Sequence, residues 1–276
     1  MKFIKKGILT SYQDLGQKGL RHLGINPKGA MDRYTARILN IALGKNEEEK
    51  VLEMYFPAPE ILFEEDCSII IGGADFLPHI DNQPIMNEKV ISVKAGSIIR
   101  FKRKINGNIA YLASTKSPML FKAHLGFSII EKEPHKLIRF IEGHEFELLE
   151  NESRNWVENK PFQISSNSNR MGFRMIGEPL LLKEKKELIS SAVDFGTIQL
   201  LPNGQLIILM ADHQTSGGYP RIGNIISADI HKLAQSSIND YIYLKKVSIQ
   251  EAEDACLEQE KNIKKLKASI RFFNEY

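Results

Sequence analysis

What most constrains this chain is a succession of short apolar runs, rich in β-branched residues and broken by turn residues. Val51–Phe56, Ile61–Phe63, Ser68–Ile71, Val90–Val93, Ile98–Phe101, Ile109–Ala113 and Leu137–Phe140 follow one another closely. Asp81-Asn82, Ala95-Gly96 and Asn106-Gly107 are turn signals between them, and the last two suit hairpins. The second half repeats the style with Phe162–Ser165, Gly196–Leu200 and Leu206–Ala211, the last two flanking the turn Leu201-Pro202-Asn203-Gly204. Strands this short and this close predict a barrel or sandwich rather than a sheet alternating with helices. Phe3–Thr10 reads as an edge strand, and Tyr12 to Gly19, polar and glycine-rich, as a loop. The longest apolar runs, Ile69–Ala74 and Leu206–Ala211, fall far short of the ~18 residues of a membrane-spanning helix.

Helical patterns are few. Met31 to Leu43 has Gly29 before it, Asp32 in its first turn, an apolar stripe of Ile38, Ile41 and Ala42, and Gly44 as a stop. A second helix is expected from Ala228 to Gln235. Ser248-Ile249-Gln250-Glu251 is a capping box. After it, Ile249, Ala252, Cys256, Gln259, Ile263, Leu266, Ile270 and Phe273 alternate spacings of three and four, which predicts one helix with a narrow apolar seam. That seam fits the barrel of the same chain or a neighbouring protomer, and the sequence leaves the choice open.

The halves echo each other. A polar loop ending in glycine (Gly16, Gly172) is followed later by an apolar strand ending in Ala-Asp (Ala74-Asp75, Ala211-Asp212). The expected organisation is a mostly β fold of two related halves, 1–135 and 136–247, with a C-terminal helix at 248–276. With 37 basic and 34 acidic residues, the net charge of +3 is too small to argue for nucleic acid. The start, Met1 to Gly7, carries lysines but no apolar segment, and Cys67 and Cys256 alone make no disulfide framework, so a cytoplasmic protein off the membrane is expected. No metal site is expected either. There is no CxxC, and the histidines form no HxH or HExxH pair. Without GxxxxGK[ST] or GxGxxG, any nucleotide would bind without a recognised phosphate loop.

Three segments could carry chemistry. Met210 to Arg221 delivers a polar cluster from an apolar strand. Asp212 could orient a donor or act as a base, Gln214 and Thr215 could hydrogen-bond an amide or carboxylate, and Gly217-Gly218 lets backbone approach a ligand. A hydrogen-bonded structural turn is the competing account. In Ser168 to Arg174, Arg170 and Arg174 would share a face if the segment is a strand, and arginine holds carboxylate or phosphate bidentately. Surface ion pairs are the competing account. The third combines Gln13-Asp14-Leu15-Gly16 with Gly29-Ala30-Met31-Asp32, where Asp32 is equally read as a helix-start carboxylate.

These pieces occur in order with Thr10-Ser11-Tyr12, Pro27-Lys28, Asn40, Leu52-Glu53, Gly196-Thr197-Ile198-Gln199 and Gln214-Thr215-Ser216-Gly217-Gly218-Tyr219-Pro220. The ordered set resembles the allophanate hydrolase subunit 2 family from about residue 8 to about 250. That family includes the C component of 5-oxoprolinase, an antagonist of the sporulation kinase inhibitor, and part of the carboxyltransferase region of urea carboxylase. The resemblance implies cyclophilin-like β-barrels, a B-like partner of related fold and a separate A-like component. It implies ATP-dependent opening of 5-oxo-L-proline to L-glutamate, a lactam hydrolase activity, with ATP and its Mg shared with the partner. On that resemblance Asp212, Asp14 and Arg170 are the catalytic candidates. Arg174, Gln199, Gln214, Thr215, Tyr219 and Asp32 are the substrate-binding candidates. The alternatives are one component of a urea- or allophanate-type carboxyltransferase or amidohydrolase, and a non-catalytic regulator that sequesters a kinase-inhibitor partner. No biotin-accepting Met-Lys context occurs, so biotin would ride on another chain.

One departure bears on activity. Tyr111-Leu112-Ala113 runs into Ser114-Thr115-Lys116-Ser117-Pro118, where the family has a glycine pair and then a glycine-rich loop. A shorter connection over Ser114–Pro134 is therefore expected, leaving a more open cleft and activity that is low or dependent on the partner.

Overall fold

All ten of those apolar runs lie on strands, while the intervening turns set which strands meet. The computed structural model describes residues 1–17, 19–119, 136–184 and 188–275. The fold is mostly β, with four α-helices among the described residues: α1 (Arg33–Ala42), α2 (Asn151–Asn159), α3 (Ile230–Ala234) and α4 (Ile249–Glu275). The chain divides into two compact units that do not follow one cut in the sequence. The first holds Met1–Leu15, Asp32–Lys132 and Glu260–Tyr276, and the second holds Gly16–Met31 and Glu133–Gln259. Among the described residues no helix is long and apolar enough to cross a membrane.

The first unit wraps two five-stranded antiparallel sheets around one core. One sheet runs Lys2–Lys5, Glu60–Leu62, Ile98–Phe101, Pro78–Ile80, Gln83–Pro84. The other runs Thr10–Gln13, Val51–Tyr55, Asn106–Ser114, Cys67–Asp75, Ile91–Val93. Ile61 and Ile99 from the first meet Leu52, Met54, Ile69, Ile71 and Leu112 from the second. The alternate residues Ile70, Tyr111 and Ala113 are buried too, because α1 packs on the strands Cys67–Asp75 and Asn106–Ser114. A sheet covered on both faces reads as a continuous apolar run, as Ile69–Ala74 does.

Asp32 is the N-cap of α1, one position earlier than the first turn. Its Oδ1 accepts the Thr35 N–H at 2.8 Å and its Oδ2 accepts the Thr35 hydroxyl at 2.6 Å. The Asp32 backbone N–H donates to the Tyr111 hydroxyl (2.9 Å), which donates to Glu53 Oε2 (2.7 Å). All three residues are buried. Burial first, then the charges of Glu53 and Asp32, push the Tyr111 hydroxyl far above its ordinary pKa, so it stays a donor. Motif residues Asp32 and Glu53 thus hold a helix start onto a sheet.

The seam of α4 meets α1 of the same chain. Ile263 and Ile270 are buried with Ile41, and Leu266 and Tyr34 pack against them. Arg37 pairs with Glu260 and Glu47, and Lys267 with Glu47 at 2.7 Å. The side chain of Phe273 lies outside the described residues. The capping box forms reciprocally: the Ser248 N–H donates to Glu251 Oε2 (2.8 Å) and the Glu251 N–H to Ser248 Oγ (3.2 Å). Truncation after Gln259 should lower thermal stability with no change in oligomeric mass by light scattering. Ile263→Ala alone should cost about 2–4 kcal/mol. A smaller particle on truncation would show instead that the seam holds protomers together.

Four expectations change. Phe3–Thr10 is not one strand: Lys2–Lys5 and Thr10–Gln13 belong to different sheets. Between them Gly7 is closely packed, a Cβ there falling 2.8 Å from Thr10 Oγ1 and 3.0 Å from the Pro57 carbonyl oxygen. The hairpin is at Asp81-Asn82, where both residues have positive φ (48° and 67°) as a type I′ turn requires. Ala95-Gly96 joins strands of different sheets, and Asn106-Gly107 lies within a strand where the register shifts. The fourth is α2, unread because it buries only Ser153 and Val157 and so shows no apolar stripe.

The second unit is a closed seven-stranded barrel. Its order is Lys136–Glu142, Arg221–Ile225, Thr197–Leu200, Leu206–Leu209, Gly172–Ile176, Pro161–Ile164, Tyr241–Lys246, and the last strand closes on the first in parallel. Ile138 and Phe140, Phe162 and Ile164, Phe173 and Met175, Ile242 and Leu244 are buried alternates along four of these strands. The period of two sends the residues between them outward.

Candidate functional site

Arg174 is one of those outward residues, between buried Phe173 and Met175. It lies opposite Ile207 on the next strand, and Ile207 lies opposite Gln199 on the one after. Together with Gly172 and Leu209 they line a cavity of about 480 Å³. Loops complete it: Asn167, Asn169 and Met171 before the Arg174 strand, Leu201, Pro202 and Asn203 from the hairpin turn, and Gln214 and Tyr219 beyond Leu206–Leu209. Among the described residues the lining holds one cation, several amides and no carboxylate. Among the described residues no ion pair engages the Arg174 guanidinium, so its charge is available to an anion.

Arg170 and Asp212 are spent on each other. Arg170 Nε donates to Asp212 Oδ2 (2.8 Å) and Nη2 to Oδ1 (3.0 Å), and Nη2 also donates to the Gly29 carbonyl (2.7 Å). The Asp212 N–H donates to the Arg170 carbonyl (2.9 Å), and Asn26 Nδ2 to the Asp212 carbonyl (3.2 Å). The pair thereby ties three loops together. Arg170 precedes the strand, which begins at Gly172, so the two arginines do not share a strand face. Arg170→Met should therefore cost about 2 kcal/mol of stability by urea unfolding. A change within 0.5 kcal/mol, roughly that of an unengaged surface residue, would contradict the tie.

The remaining predicted residues divide as follows. Gln199, Gln214 and Tyr219 join Arg174 in the cavity. Thr215 is not in the lining, and its carbonyl accepts the Val193 N–H (3.2 Å). Asp14, just after the strand Thr10–Gln13, and Asp32, the α1 cap, belong to the first unit. Among the described residues no group of three or more His, Cys, Asp or Glu side chains is placed to hold a metal.

Two features escaped the sequence. Asn203 enters the cavity from what reads as a plain turn. Beside the barrel, Glu145 accepts three hydrogen bonds from Arg221, at 2.9 Å from N, 3.1 Å from Nε and 2.9 Å from Nη2. Burial favours protonating Glu145, but those bonds and the Arg221 charge outweigh it and hold its carboxyl below the ordinary range. The partners are 76 residues apart, which no local pattern reveals.

The family model for the carboxyltransferase domain, subdomain A and B, matches residues 23–125 and 114–246. The chain belongs to this family. It is 32% identical over 279 residues to the C component of the Haemophilus influenzae 5-oxoprolinase, covering 88% of this chain and 90% of that one. It is 30% identical over 310 residues to the Escherichia coli protein of the same name, covering 100% and 99%. The urea amidolyase of Saccharomyces cerevisiae is 34% identical over 107 residues, 38% of this chain and 6% of that protein. In fold, the chain superposes on the Kluyveromyces lactis urea amidolyase with a TM-score of 0.86 at 20% identity, covering 96% of this chain and only 20% of the other. As a member of the carboxyltransferase-domain family, it therefore keeps the family fold together with a cavity on one side of its closed barrel.

Proposed function

We propose that the chain is the C component of a 5-oxoprolinase assembly, acting with a B-like and an A-like partner in ATP-dependent conversion of 5-oxo-L-proline to L-glutamate. Two relatives of that name match it over nearly their whole lengths. The observation that carries the reading is Arg174 in a cavity where, among the described residues, no ion pair engages it and no carboxylate joins the lining. 5-Oxo-L-proline is a small carboxylate, and a guanidinium with no competing anion is a suitable partner for it.

A lactam carbon is a poor electrophile. Phosphorylation of its oxygen by ATP makes water attack and ring opening feasible. In this scheme Arg174 holds the substrate carboxylate, while the Arg170–Asp212 pair positions the loops around it. ATP with its Mg is a co-substrate shared with the partner, since one arginine is a weak match for a triphosphate. The connection over Ser114–Pro134 lies mostly outside the described residues.

The urea amidolyase match favours a second reading, carboxyl transfer to a urea-like amide. Urea carries no carboxylate, so it offers Arg174 a carbonyl hydrogen bond but no negative charge to pair with. Reconstitution with both partners decides: ATP hydrolysis that depends on 5-oxo-L-proline is expected. Hydrolysis or carboxylation that depends on urea would favour the second reading. Tight partner binding with no turnover would favour a regulator.

A further inference from the structure

The sheet that contains Lys2–Lys5 has two edges, and they are not alike. At one, Gln83–Pro84 closes the sheet with a short strand whose proline has no N–H to offer. At the other, Lys2–Lys5 pairs on one side only, with Glu60–Leu62, and every residue of the strand is exposed. Its outer N–H and C=O groups meet no further strand among the described residues. The chain then crosses to the second sheet, where Thr10–Gln13 is again an edge strand. The crossing is pinned by hydrogen bonds. The Ile8 N–H donates to the Pro57 carbonyl (3.0 Å), and the Tyr55 N–H donates to the Leu9 carbonyl (3.0 Å).

Phe3, Ile4, Ile8, Leu9 and Tyr12 are all exposed along this stretch, Ile8 to 75%. Lysines and a slipped register ordinarily keep stray strands off an edge. This edge has both: Lys2, Lys5 and Lys6, and an irregularity between Phe3 and Lys5. Protection alone gives no reason for the apolar side chains, whereas a surface covered by a partner does. The charges indicate which kind of partner. Met1 to Gln13 includes no Asp or Glu, and among the described residues no ion pair engages Lys2, Lys5 or Lys6. A second copy of this chain would bring lysines to lysines. Antiparallel pairing centred on Phe3 and Ile4 would set Lys2 opposite Lys5 twice, and like charges directly opposite are destabilising. An acidic strand meets no such repulsion.

We propose that the edge Lys2–Lys5, with the exposed side chains as far as Tyr12, is the docking surface for the B-like partner, which adds an acidic, extended segment to it as a further strand. Main-chain hydrogen bonds along the edge supply affinity, and the lysines with Phe3 and Ile4 select the partner. The inference rests on the reading of this chain as a C component with a B-like partner, and it gives that partner its surface.

The test uses the full chain and the purified B-like partner, with binding measured by calorimetry and protection by amide hydrogen exchange. In the complex, amides within Lys2–Lys5 should exchange about tenfold more slowly or better than in the free chain. Lys2→Glu, Lys5→Glu and Lys6→Glu combined should weaken binding about tenfold or more at about 50 mM salt, and less than about threefold at about 500 mM, because salt screens exposed charges. Phe3→Thr with Ile4→Thr should weaken it at both. Should either variant unfold, as circular dichroism would show, exchange in the wild-type complex carries the test. A complex that leaves Lys2–Lys5 unprotected, or that both folded variants form as well as the wild type, would overturn the surface and leave the 5-oxoprolinase reading standing. A homodimer that protects Lys2–Lys5 would overturn the choice of partner. Absence of any complex would overturn the inference, and glutamate formation by the mixed components would then decide whether the 5-oxoprolinase reading falls with it.

Discussion

Asp229→Ala is expected to destabilise the protein by about 3 kcal/mol at pH 7, because it breaks a buried ion pair from one side. Asp229 is 0% exposed and accepts three bonds from Arg139, from the backbone N–H (2.9 Å), Nε (2.9 Å) and Nη2 (2.8 Å). Burial by itself would raise the Asp229 carboxyl. The Arg139 bonds, with the Lys232 and Arg139 charges, outweigh it and hold the carboxyl below its ordinary range. A carboxyl lowered in the folded state contributes stability that is complete above its unfolded value, about 3.9, and is lost as pH falls through the folded value. The gap between wild type and Asp229→Ala should therefore narrow between about pH 5 and about pH 2. Urea unfolding across that range measures it, and a gap independent of pH would show that Asp229 acts through packing alone.

Arg174→Met is expected to do the opposite: large in function, small in stability. Its guanidinium holds no ion pair among the described residues, so stability should change by no more than about 0.5 kcal/mol. Losing a charge-assisted bond to the substrate carboxylate removes about 2–3 kcal/mol, or roughly 30- to 150-fold in kcat/KM for 5-oxo-L-proline in the reconstituted assembly. Arg174→Lys should recover part of that, since it keeps the charge and loses the fork geometry. An Arg174→Met variant that melts early and turns over normally would place this residue in the fold rather than the site.

The strands were legible because burial on one face or both leaves an apolar record, as in Ile69–Ala74 and Leu206–Ala211. Helix ends were legible where a side chain caps them, at Asp32 and Ser248. Pairing was not. Type I′ geometry at Asp81-Asn82 and the sheet change at Ala95-Gly96 depend on backbone dihedrals and on strands far away in sequence. Helix α2 was hidden because its stability comes from a few contacts rather than an apolar stripe. In the site, Arg174, Gln199, Gln214 and Tyr219 were singled out and the barrel gathers them. Arg170 looked the same as Arg174 on paper. Only the position of the strand start at Gly172 sends one to Asp212 and the other to the cavity.

The most direct measurement follows labelled 5-oxo-L-proline to glutamate in an assembly of this chain with its B-like and A-like partners, omitting each component in turn and then replacing the chain with Arg174→Met. The account predicts glutamate only when this chain, both partners and ATP are all present, and loss of most of the rate with Arg174→Met. Full-rate glutamate formation without this chain, or with Arg174→Met in its place, would contradict it.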